Sequence, residues 1–453
     1  MKKKLILLVT VFFISTAIFA QSESDFIFDG NGTITKYVGS ETSIVIPSRI
    51  NGVPVTAIGN KAFTVYTKGN ITNVTIPDTV TSIGTEAFYN QKLTIIILPN
   101  GLTSIGISAF SRNQLININI PPNVISIRDF AFFGNQLTSV IIPDGITSIG
   151  KRVFANNQLT SVIIPDSITS IDESAFADNQ LTSVIIPDKV VSIGKEAFAN
   201  NLLTSVIIPD SVTSIGDSAF TNNRLSSVTI SKNVTVINRN VFSKNQLTSV
   251  IIPANITSIG DESFRENQLT SVILPEGITV IRQFAFYKNH LTSVEIGRGV
   301  TEIGIYAFAD NQLESVNIPY GVISISSSAF SNNQLTSVII PNSVNTIGRY
   351  AFNNNKLTSV IIPESVEVID FDAFSDNQLR NVTIPDNVII NIRAFLNNPI
   401  TQIIIGRSVH LQFTDGIFIF SEEFDNYYYG NKRQAGTYII RNGQWIVSNQ
   451  NVI

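Results

Sequence analysis

"NQLTSVIIPDSITSIDESAF", residues 157–176, decides how this chain folds. The phrase returns as "NQLTSVIIPDKVVSIGKEAF" at 179–198 and as "NQLTSVIIPNSVNTIGRYAF" at 333–352. Working outward from it, phenylalanine recurs every 22 residues from Phe88 to Phe374, through Phe154, Phe176, Phe198 and Phe220. Phe63 precedes that run by 25 residues and Phe395 follows it by 21. Prolines keep nearly the same interval from Pro77 to Pro385, with Ser231 and Gly297 standing in twice. A fixed short period means stacked supersecondary units, so the 453 residues are not divided into domains by length alone.

Within one unit, Leu159, Val162 and Ile164 fit L-x-x-L-x-L, the signature of a leucine-rich repeat, whose period is about 20–29 residues. The last positions alternate in, out, in, as a short strand requires. Pro165 has no N–H for a neighbouring coil and ends the strand, and the residues after it turn. Ile168 and Ile171 point back inward, and Ala175–Phe176 closes the other side in a short helical or irregular turn. One coil cannot bury its apolar face alone, whereas stacked coils bury one another. The expected fold is a leucine-rich repeat solenoid of about 16 coils, with a parallel β-sheet on the concave face.

The residue three after each phenylalanine from Phe110 to Phe395 is asparagine, including Asn135, Asn157, Asn179 and Asn201. A carboxamide both donates and accepts, so such a column can satisfy a buried turn coil after coil. That structural ladder, with the Phe154, Phe176, Phe198 and Phe220 column beside it, is preferred to glycan or metal binding.

The chain begins "MKKKLILLVTVFFISTAIFAQSES". Three lysines precede an apolar stretch that ends near the small residue Ala20, which reads as a secretory signal cut after Ala20. Its loss takes the formal charge from −4 to −7. A weakly acidic chain without a Lys/Arg run argues against nucleic acid and anionic membranes, and no second apolar span follows the signal. Cysteine is absent, which excludes disulfides and thiol chemistry. The expected location is exported: cell surface, extracellular or periplasmic.

"LTSVIIPDSVTSIGDSAF" (203–220) and its copies resemble the BspA-like leucine-rich repeat family of bacterial surface proteins, treponemal type. The opening unit, "GNGTITKYVGSETSIVIPSRINGVPVTAIGNKAF" (30–63), is similar to the family's usual first coil, and "YYYGNKRQAGTYIIRNGQW" (427–445) to a C-terminal segment common there. The family often carries Cys where this chain has its Asn column, and no wall-anchoring signal is visible. The resemblance implies a right-handed solenoid displayed or released by bacteria, and adhesion to host matrix proteins or to other cells.

Two outward columns lie on the expected concave strand. One is Ser139, Ser161, Ser183 and Ser205, and the other Ile141, Ile163, Ile185, Ile207, Ile251, Ile273, Ile339 and Ile361. Thr229, Glu295 and Asn317 interrupt the isoleucines. A long apolar stripe suits an interface, and isoleucine also suits a flat strand; both readings stand. The expected ligand is a protein, either a host matrix or cell-surface protein or a second copy. The alternative is a structural or self-assembling envelope protein without a host ligand.

Enzyme readings find little support. His290 and His410 are the only histidines, and neither sits in a triad or metal pattern. No cofactor and no metal is expected. The acidic row Asp144, Asp166, Asp188, Asp210, Glu276 and Glu364 reads as turn residues bonding their own backbone, with calcium as the lesser reading. The expected organisation is signal peptide 1–20, N-terminal cap and first coil 21–63, solenoid 64–410, and a C-terminal cap or cell-association module 411–453. The last carries a hairpin turning at Asn442–Gly443.

Overall fold

The computed structural model describes residues 21–64, 71–412 and 418–448. The signal assigned to 1–20 lies outside the described residues. The chain divides into two compact units, 1–137 and 138–453, each a parallel β-solenoid.

Every coil carries two short extended pieces, and in most coils at least one of them pairs in register with its neighbours. In the second unit, Ser161–Ile163 pairs with Ser139–Ile141, so that Ser161 faces Ser139 and Ile163 faces Ile141. The L-x-x-L-x-L strand recurs as Ser205–Ile207 with Ser227–Thr229, Ser271–Ile273 with Ser293–Glu295, and Ser359–Ile361 with Asn381–Ile384 and Gln402–Ile405. We call this the first ladder. A second ladder, which the sequence reading left as inward-pointing isoleucines, runs through two-residue strands. Ser148–Ile149, Ser170–Ile171, Ser192–Ile193 and Ser214–Ile215 pair in parallel, and a nine-strand set continues from Val236–Ile237 to His410–Leu411. In the first unit the first ladder is Ser43–Val45, Asn73–Thr75 and Ile95–Ile97. The second runs from Thr33–Tyr37 to Ser126–Ile127, with Phe26–Phe28 added antiparallel at its start.

The third side, around the phenylalanine, is irregular rather than helical, and it is bonded in the opposite sense. Second-ladder N–H groups reach back, as Gly194 N–H does to Ile171 C=O at 2.7 Å. On the phenylalanine side they reach forward, Ser174 to Lys195 C=O at 2.7 Å and Phe176 to Ala197 C=O at 2.9 Å. The sharp path needs two left-handed residues per coil, here Ser174 (φ 52°) and Asp178 (φ 56°). No β-branched residue occupies these positions, consistent with the steric cost of that region.

Leu159, Ile164, Ile168, Ile171, Ala175 and Phe176 fill the coil interior. Successive phenylalanine rings stack face to face, Phe176 on Phe198 at 5.5 Å between centroids with planes 10° apart. Within the first unit Tyr37 begins such a column by stacking on Phe63 at 5.4 Å, and within the second Phe420 ends one by stacking on Phe395 at 5.0 Å.

The tail holds the hairpin read from Asn442–Gly443, as Gly436–Arg441 and Gln444–Val447. It adds antiparallel to Gln402–Ile405. It also holds a helix, Glu422–Gly430, that the sequence reading did not assign. Ser421 caps it by accepting from Phe424 N–H at 3.2 Å. Phe424 and Tyr428, one turn apart, bury against Tyr438, and Phe424 also meets Trp445. Aspartate, asparagine and tyrosine are middling helix formers, so tertiary packing rather than propensity holds this segment.

Candidate protein-binding face

Because strand side chains alternate, Val140 and Ile142 are buried while Ser139 and Ile141 stand outward, and the 22-residue register repeats that choice. All eight isoleucines of the stripe are exposed. Ile163 keeps 66% of its surface, Ile185 84% and Ile251 87%. Ser139, Ser161, Ser183 and Ser205 are exposed beside them. Thr229, Glu295 and Asn317 are exposed in the same column, and Asn317 bridges to Ile339 in parallel. Paired strands place such side chains about 4.8 Å apart.

A threonine column flanks the serines. Its hydroxyls bond the preceding coil, as Thr160 Oγ1 does to Thr138 C=O at 3.4 Å and Thr292 Oγ1 to Thr270 C=O at 3.3 Å. These hydroxyls are engaged by backbone, and the isoleucines have no partner of their own. From Ser139 to Ile273 the Thr/Ser/Ile columns of this face carry no charged residue. The sequence reading omitted Ile95 and Ile97, exposed at 60% and 54% on the first ladder of the first unit. The signal was present: Ile97 stands 13 residues before Phe110, as Ile163 does before Phe176.

The asparagine column lies away from this face, buried in the turn. Asn179 Nδ2 donates to Phe154 C=O at 2.9 Å in the preceding coil and to Phe176 C=O at 3.1 Å in its own. Its Oδ1 accepts from Leu159 N–H at 3.0 Å. Asn201 repeats the arrangement one coil on, with Phe176, Phe198 and Leu181. These amides are occupied by backbone and offer nothing to a ligand.

The acidic row is exposed, and Asp210 pairs with Lys232 at 2.7 Å, which holds its carboxyl below the usual range. His290 and His410 are exposed at separate places. Among the described residues no three of His, Asp and Glu come together as metal ligands, and no helix is long and apolar enough to cross a membrane.

The fold is therefore a leucine-rich repeat solenoid whose outward strand columns are exposed and in register. The profile of the "BspA type Leucine rich repeat region" matches residues 56–182, 169–292 and 301–421, and the chain belongs to that family. A leucine-rich repeat protein from Bacteroides ovatus aligns over 80% of this chain and 93% of its own, at 23% identity and a TM-score of 0.51. A leucine rich cell surface protein from Faecalibacterium prausnitzii aligns over 90% of this chain and 99% of its own, at 26% identity and a TM-score of 0.38. The Treponema pallidum leucine rich repeat protein covers 45% of this chain and 88% of its own, at 26% identity and a TM-score of 0.34. No curated protein matches the chain.

Proposed function

We propose that the chain is an exported bacterial surface or secreted protein that binds a protein partner, in the manner of an adhesin, through the Ser/Ile columns of the first ladder. The observation that carries this is the row of eight isoleucines, each at least 65% exposed. An extended exposed apolar stripe of this kind marks interaction surfaces on other proteins, which supports the reading. Membership of the BspA-type family and the signal-like leader support export. The tail 411–453 serves as the cap, since its hairpin extends the sheet and Phe420 covers Phe395.

Burying one isoleucine is worth about 1.5–3 kcal/mol. Replacing Ile163, Ile185 and Ile207 together by Lys should therefore weaken partner binding at least ~100-fold, with an unchanged circular dichroism spectrum. The measurement is surface plasmon resonance against a panel of extracellular matrix and cell-surface proteins. Wild-type affinity in the triple variant would move the site elsewhere on the molecule. Concentration-dependent sedimentation of the isolated chain, with no hit on the panel, would point to the self-assembling envelope role instead.

A further inference from the structure

A groove runs along the second ladder of the first unit, apart from the Ser/Ile columns of the first ladder. Its volume is about 770 Å³, within the range of ligand pockets. It crosses the strands from Thr33–Tyr37 to Ser126–Ile127, which at about 4.8 Å apart makes it roughly 19 Å long. Gly59, Gly84 and Gly106 form part of its floor. A Cβ on Gly106 would lie 2.5 Å from the Gly84 carbonyl carbon, so close stacking keeps side chains off this column. Arg128 takes the next place in it and ends the run. In the second unit no more than two glycines follow one another at this position, and Asp172, Asn238 and Arg282 interrupt them.

The groove offers hydroxyls along its length and one cation at its end. Ser82, Ser104 and Ser126 stand in register, one per strand, and all are half-buried. Among the described residues, neither their hydroxyls nor the Arg128 guanidinium bonds a protein group. Asn60 Oδ1 accepts from Thr85 N–H at 2.8 Å, which leaves its Nδ2 without a protein partner among the described residues. Ile107 and Ile125, exposed at 45% and 66%, add apolar surface. No carboxylate lines the groove, although the chain as a whole is acidic. A serine hydroxyl both donates and accepts, as a sugar hydroxyl does. A lone guanidinium takes one carboxylate through paired N–H bonds. A dense polyanion would need a row of cations, and an extended peptide would need an open sheet edge, which these mutually paired strands do not present inside the groove. We propose that the groove is a glycan-binding site for an otherwise neutral oligosaccharide that ends in one carboxylated sugar. The carboxylate sits on Arg128, and the neutral sugars lie along the serines.

The test is calorimetric titration of the full chain, up to millimolar saccharide, with sialyllactose and with a disaccharide ending in glucuronic acid. These are two sources of a terminal carboxylate, and binding of either supports the site and names the source. Reducing that carboxylate to the alcohol should weaken binding roughly 10- to 100-fold, and so should Arg128→Gln. In Arg128→Gln the acid and its reduced form should bind measurably and alike. Ser104→Leu, which fills the groove, should abolish binding with an unchanged circular dichroism spectrum. Replacing Ile163, Ile185 and Ile207 by Lys should leave saccharide binding at the wild-type level. No heat from either saccharide, full-strength binding of the reduced form, or wild-type affinity in Arg128→Gln would overturn the site. Binding of a short poly-Glu peptide in place of the saccharides would overturn it too.

Discussion

Asn179 shows how much one residue settles in this fold. Its amide joins two coils through four backbone groups: Leu159 N–H and the carbonyls of Phe154, Phe176 and Ala177. Only a side chain with both donors and an acceptor fits that place, so the column runs unbroken from Asn113 to Asn398. Asn179→Ala leaves the buried Leu159 N–H unpaired, while the carbonyls of Phe154, Phe176 and Ala177 each lose one donor and keep Asn157, Asn201 and Asn156 respectively. We expect a loss of about 2 kcal/mol in urea unfolding, because a stranded buried group costs roughly 1–3 kcal/mol. Asn179→Asp should cost more, since it sets a buried carboxylate against carbonyl oxygens. The existence of this ladder was legible in the sequence, because spacing alone exposes it. Its partners were not, because the Leu N–H it serves lies 20 residues upstream and becomes its neighbour only after stacking.

At the scale of elements, the first ladder, its register and the terminal hairpin could be read directly, since alternation and a two-residue Asn-Gly turn are local signals. The second ladder escaped because two residues are too few to display alternation. Tyr37 and Phe420 escaped as members of the ring columns because they stand 26 and 25 residues from their neighbours and break the period. The tail helix escaped for lack of periodicity, and it carries the molecule's most unusual group. Asp425 is fully buried, and its Oδ2 accepts from the N–H groups of Ile419 and Phe420. Its Oδ1 has no partner among the described residues, and no cation faces it. Burial pushes its carboxyl up to about 6, against an ordinary 3.8. A raised folded value means the stabilising, protonated form is complete below pH 3.8 and is lost as pH rises through 6. The tail should be less stable at pH 7.5 than at pH 4 by about 2 kcal/mol, followed through Trp445 fluorescence during thermal melting. Asp425→Asn should flatten that dependence, and a pH slope that survives the substitution would exclude Asp425 as its source.

At the scale of the whole molecule, each coil meets only the coils before and after it, so stability is set by interfaces rather than by one central core. The last interface is then decisive for solubility. Removing residues 411–453 uncovers the ring of Phe395 and the edge of Gln402–Ile405, now covered by Phe420 and by Gly436–Arg441. An uncovered parallel edge invites pairing with other chains. The truncated chain should therefore sediment as higher species at concentrations where the full chain is monodisperse, and a monodisperse truncation would show that the tail is dispensable as a cap. The same neighbour-only logic bears on the gene. Excising or duplicating one 22-residue period inside residues 138–395 puts every Phe, Asn and Leu against a partner of its own kind. Recombination between the near-identical copies can thus lengthen or shorten the protein in whole-coil steps without a folding fault, and natural alleles should differ in reach while keeping the same surface chemistry.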